Sequence, residues 1–186
     1  MIRWNVVAAG VSGAWELARR RPQGLQRIDG SPAGYWHSFW AAVLVAPAFV
    51  ALQLLGGGFG EDFTFRIGLA HAIAYVIDWT AFPLVMIVVA DSLDRWPAYM
   101  RYIAAYNWSA VVQIAVLLPA AAAVTLMPHP VLLMLVQGIT VILLVYRAYI
   151  AHVALDVGLP TAAGIVLLDV LLSGLTNAVT DRVAGG

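Results

Sequence analysis

Cysteine and lysine are both missing from these 186 residues, and charged residues of any kind make up only 11%. The first absence removes disulfides, thiolate nucleophiles and thiolate metal sites, and it leaves the redox compartment open. The second bears on Gly56-Gly57-Gly58-Phe59-Gly60. A phosphate cradle needs a following Lys-Ser or Lys-Thr pair, so this stretch reads as a turn. Net formal charge is zero, which gives no field to draw in nucleic acid or an acidic partner. Catalytic and metal-binding motifs are missing too. His37, His71, His129 and His152 are scattered, with no His-x-x-x-His or Glu-x-x-His pair, so no metal is expected. Ser109 and Ser173 have no base near them in sequence, and Gly-x-Ser-x-Gly is absent. Neither catalysis nor a cofactor is expected.

What the chain has in excess is apolar residues, 62% of the total against about 45–50% in soluble domains. They fall in five runs, roughly Ser38–Leu55, Phe65–Ala90, Tyr102–Leu126, Val131–Ala154 and Thr161–Val179. At ~1.5 Å per helical residue each can cross a hydrocarbon core of about 30 Å, the first and last only just. The expected fold is an all-α, five-helix transmembrane bundle (residues 35–186) preceded by an amphipathic segment and linker (residues 1–34).

The arginines orient it. Arg3, Arg19, Arg20, Arg21 and Arg27 precede the first run, Arg95 and Arg101 lie between the second and third, and Arg147 sits near the end of the fourth. Only Arg66 and Arg182 fall on the other side, a ratio of eight to two. By the positive-inside rule the amino terminus is cytoplasmic and the carboxyl terminus external. An alanine-rich, lysine-free chain suggests a bacterial source, hence the inner membrane. Trp36, Trp40, Trp96 and Trp108, with Tyr35, Tyr99, Tyr102 and Tyr106, are expected as an aromatic belt at the cytoplasmic interface. Residues 2–20 carry Trp4, Val7, Val11, Trp15 and Ala18 at helical spacing and read as a surface helix. Apolar positions over Ile2–Ala18 are only scattered and Arg19-Arg20-Arg21 follows that stretch instead of preceding it, so a cleavable signal peptide is not expected. Arg21–Ser31, with Pro22, Gly24 and Gly30, reads as a linker. Arg19, Arg20, Arg21 and Arg27 are candidates for binding anionic lipid. Pro47, Pro83 and Pro119 fall inside spans and should kink them.

The sharpest candidates are polar groups within the runs. A charge at the bilayer centre costs several kcal/mol unless paired, neutralised or wetted, so Asp78 and Asp169 should face the bundle interior. Arg147 and Asp169 lie about 10 and 12 Å from the same ends of consecutive antiparallel helices, so an ion pair is expected between them. Asp78 lies about a turn deeper, and His71 stands two turns from it on the same face. These four residues form either a polar clasp, helped by Gln113, Gln137 and Asn177, or a path for protons or cations. An aspartyl pair of Asp78 and Asp169 is conceivable, but the motifs that accompany such enzymes are absent.

Three stretches resemble the Yip-domain family of small membrane proteins. Ser38-Phe39-Trp40 leads into Val45-Ala46-Pro47, like the family's first span with its proline. Ala105-Tyr106-Asn107-Trp108-Ser109 opens the third span. Tyr146-Arg147-Ala148-Tyr149-Ile150-Ala151, through Ala162-Ala163 to Leu167-Leu168, is similar to the last two. The resemblance implies a five-helix bundle without catalytic residues. The Asp-Leu-Tyr-Gly-Pro stretch of eukaryotic members is absent, so their trafficking roles do not transfer. The expected role is a scaffold or accessory subunit organising lipids, a protein partner or a second copy of itself. The alternative is a small proton- or cation-coupled transporter or channel subunit.

Overall fold

The computed structural model describes residues 4–56 and 64–185. Among them are seven α-helices and no strand: α1 (Trp4–Ala18), α2 (Pro32–Ser38), α3 (Trp40–Leu55), α4 (Phe65–Ser92), α5 (Trp96–Leu126), α6 (Pro130–Leu155) and α7 (Leu159–Gly185). With α2 and α3 taken together, five stretches are long and apolar enough to cross a membrane. The chain is a multi-pass, all-α membrane protein. The glycine-rich turn at 57–60 and Arg3 lie outside the described residues.

Local chemistry sets the helix starts. Ser31 accepts the Gly34 amide at 3.1 Å and Pro32 follows it, so the chain enters α2 with one free amide capped and another absent. Thr64 caps α4 through the Ile67 amide at 3.3 Å. Pro97 stands in the first turn of α5, which therefore begins at Trp96 and carries Arg101 on the helix, not in a loop. Pro47, Pro83 and Pro119 are all inside helices, as their positions predicted.

Helix α5 is the axis of the bundle. It packs on α1, α2, α3 and α6 and more lightly on α4, while α7 joins α6 to α4. The α4–α5 and α6–α7 connections lie on the side where α1 sits, tied by Arg95 donating to the Asp156 carbonyl. At the opposite end Arg66 donates to the Val183 carbonyl at 2.7 Å.

Three expectations are refined by the structure. First, α1 forms, but its buried face is Gly10, Gly13, Ala14 and Leu17, while Trp4 and Trp15 point outward. The glycines that weaken an isolated helix let this one approach its neighbours. A Cβ on Gly10 would overlap the Trp108 indole, and one on Gly13 would press on the Gly24 carbonyl. Tyr146 completes the dock by donating to the Ala14 carbonyl at 2.7 Å. Second, the linker contains a 3-10 helix, Pro22–Arg27, packed along α1. Third, the aromatic belt divides. Trp36 is 70% exposed and Trp96 half exposed, whereas Trp108 is 2% exposed and Tyr99 and Tyr102 are buried. Helical spacing on α5 turns these three toward α1, α2 and α4, where docking removes a large aromatic area from lipid and water.

After the 3-10 helix, Asp29 accepts the Ser31 amide at 2.9 Å. That backbone hydrogen bond, then the Ser31 hydroxyl, hold the carboxyl below its ordinary 3.8, against a small opposing effect of burial. His37 and Arg101 add to the lowering. A lowered acid stabilises the fold fully above its ordinary range and loses the contribution as pH falls through the lowered value. The protection of the Ser31 amide, its exchange rate relative to an unprotected amide at the same pH, should therefore fall below about pH 4 in the native chain. In Asp29→Ala that protection should already be lost at neutral pH, with no further step on acidification.

The hydrophobic core fills only one half of the bundle. It runs from Leu17 and Ile28 through Met86, Ile103 and Trp108 to Ile150, Leu155 and Ile165. In the half away from α1, no residue of α6 from Pro130 to Val145 is buried. Only Ala74 is buried in the first seventeen residues of α4, and beyond Asp169 only Thr180 in the described part of α7.

Candidate functional site

The boundary between the packed and loose halves is polar. Tyr106 stands ten residues into α5, Asp169 ten into α7 and Arg147 eight before the end of α6, all about 12–15 Å from the same side. Arg147 Nη1 donates to Asp169 Oδ2 at 2.5 Å. Tyr106 donates its hydroxyl to Asp169 Oδ1 at 2.8 Å, so each carboxylate oxygen has a donor. Arg147 Nε donates to Gln113 Oε1 at 2.8 Å, and Gln113 in turn donates to Ser109 at 2.9 Å. The guanidinium carbon also lies 5.5 Å from the centroid of the Tyr106 ring. The expected ion pair is therefore present, within a network drawn from three helices.

Asp169 is 2% exposed and sealed behind this network. The Arg147 side chain is 27% exposed and faces a cavity. A guanidinium has five N–H donors, and here two are engaged. The cavity, about 240 Å³, is lined from all five spans: Val45 and Phe49 of α3, Tyr75, Asp78 and Trp79 of α4, Tyr106 and Gln113 of α5, Leu143 and Arg147 of α6, and Ser173 of α7. Asp78 makes no ion pair among the described residues. Its carboxyl lies beside the Thr176 hydroxyl and within electrostatic reach of Asp169.

Not every expected member joins. His71 accepts from or donates to Gln53 of α3 at 2.8 Å, two turns along α4 from Asp78. Gln137 and Asn177 are exposed and stand apart from the clasp. Tyr106 and Ser109 are the members that sequence reading placed elsewhere. Tyr106 sat among belt aromatics, and Ser109 was weighed only as a nucleophile. The available signal was spacing, since Tyr106, Ser109 and Gln113 recur three and four residues apart on one helical face. Arg19, Arg20, Arg21 and Arg27 are all exposed, around the end of α1 and along the 3-10 helix. Arg21 also pairs with Glu16 at 3.1 Å. Among the described residues no group of three or more His, Asp or Glu is placed to hold a metal ion.

Comparison with family models, with curated proteins and with solved structures gave no match to this chain.

Proposed function

We propose that this chain is a small, non-catalytic transport or channel subunit, oriented with its amino terminus in the cytoplasm of a bacterial inner membrane. One observation puts this reading ahead of the scaffold. Asp78 lines a cavity walled by all five spans, while the other two intramembrane charges already neutralise each other. A clasp needs only Arg147 and Asp169. A carboxyl that lines a cavity without an ion partner adds nothing to that pair, and an ionisable group in a membrane helix costs too much to be incidental. Five spans give no inverted repeat, so two copies would complete a pathway between protomers.

The test is proton or cation flux into liposomes carrying the purified chain. Flux should be lost in Asp78→Asn while the variant still migrates as a folded protein. Flux in the native chain no greater than in empty liposomes would refute the transport reading, and equal flux above that level in both proteins would remove Asp78 from the pathway. A Yip-like scaffold or accessory role is the second reading, favoured by the four exposed arginines that follow the docked α1 and are open to lipid or a partner. A stable heterologous partner crosslinked in native membranes, together with no flux, would replace the first reading with the second.

A further inference from the structure

We propose that the cavity is a binding site for a small, weakly hydrated organic cation, an amine or quaternary ammonium, with Asp78 as its counter-ion and Phe49, Tyr75 and Trp79 as its wall. The inference rests on the transport reading above, with this cavity as the vestibule of the pathway, and adds the class of occupant. Charge decides the sign. Arg147 also faces the cavity, but Asp169 neutralises it from behind at 2.5 Å, so the net charge of the three groups is that of the Asp78 carboxylate. The other titratable groups around it are Tyr106 on α5 and Tyr75 on α4 itself, both neutral hydroxyls.

Wall chemistry decides the kind of cation. A hard metal cation such as calcium or magnesium takes about six or more oxygen ligands, and this wall offers few oxygens among aliphatic and aromatic side chains. An organic cation needs instead a carboxylate on one side and electron-rich ring faces on the others. The Phe49 and Tyr75 ring centroids are 4.7 Å apart, and those of Tyr75 and Trp79 are 6.1 Å apart. Tyr75 is fixed by donating its hydroxyl to the Ala42 carbonyl at 2.6 Å, which holds the aromatic wall in place across α3 and α4. The volume, about 240 Å³, is slightly below the usual ~300–1,000 Å³ of small-molecule sites, so the occupant is small.

Because the chain has no cysteine, Ser173→Cys gives a single thiol on the cavity wall. In liposomes carrying the full chain, its modification by trimethylammonioethyl methanethiosulfonate is compared with that by the anionic sulfonatoethyl reagent. Each rate is referred to a free thiol in solution. The cationic reagent should be favoured on the order of tenfold, as expected for a carboxylate at close range in a partly shielded space. Tetraethylammonium should slow the labelling. The preference should vanish in Asp78→Asn and survive in Asp78→Glu, which keeps the charge should the amide variant fold poorly. If both reagents label the thiol without preference, or the anion is favoured, the cation site is overturned and the vestibule stands. If neither reagent reaches the thiol, the vestibule reading itself fails.

Discussion

Replacing Arg147 with methionine should destabilise the bundle by roughly 3–4 kcal/mol, among the largest effects of any single change in this chain. Asp169 would keep its hydrogen bond from Tyr106 but lose the donor to its other oxygen, at a site 2% exposed. An unpaired carboxylate there is relieved by taking up a proton. For an acid of ordinary strength that costs about 4 kcal/mol at neutral pH, which sets the ceiling. The reverse change, Asp169→Asn, should cost less. Arg147 faces the cavity and keeps Gln113 and the Tyr106 ring, and the amide still fills the space. Replacing both residues with apolar ones of similar size should restore most of the loss, because a buried pair contributes less than breaking it costs. Denaturant titration in detergent, followed by circular dichroism, measures all three. A double variant as unstable as the Arg147 variant would show that the pair itself supplies the stability.

Gly10→Ala should have the opposite sign from the one an isolated helix predicts. On a free surface helix, removing a glycine stabilises by about 0.5–1 kcal/mol. Here the new methyl overlaps the Trp108 indole, which is itself locked in the core. Overpacking of this kind costs about 1–3 kcal/mol, more than the propensity gain returns. Helix α1 should move off α5, losing the Tyr146 hydrogen bond to Ala14 and exposing Leu17. Protease cleavage within residues 4–20 should then rise sharply. Shortening the partner with Trp108→Leu in the same chain should bring protection back. Protection unchanged in Gly10→Ala alone would mean that α1 is not docked as described.

These two sites differ in how far the sequence discloses them. The pair was legible because insertion of a charge into hydrocarbon is so unfavourable that two opposite charges at equal depth on consecutive helices have one economical arrangement. Their remaining partners were less so. A tyrosine near a membrane interface has an abundant alternative use, and only the rotation of α5 turns Tyr106 inward to Asp169 while Trp96 stays outside. The docking of α1 was illegible for a related reason. Its tryptophan stripe advertises a lipid-facing helix, yet the energy of its packing comes from glycines, whose contribution is the absence of an atom. Hydropathy has no means of registering that. The start of α5 was hidden likewise, since Arg101 interrupts the apolar run while the helix continues through it.

By itself the sequence determined that the chain crosses a membrane several times as helices. It also segregated arginine to alternate connections and put Arg147 and Asp169 at one depth. Each of these follows from one-dimensional quantities: run length, charge position and rise per residue. Only the tertiary structure decided which face each helix turns inward. That rotation closes one half of the bundle into a core, leaves the other half open around Asp78, and sets His71 against Gln53 of α3. These outcomes depend on side-chain shape meeting side-chain shape across five helices, and no pattern along a single helix carries that information.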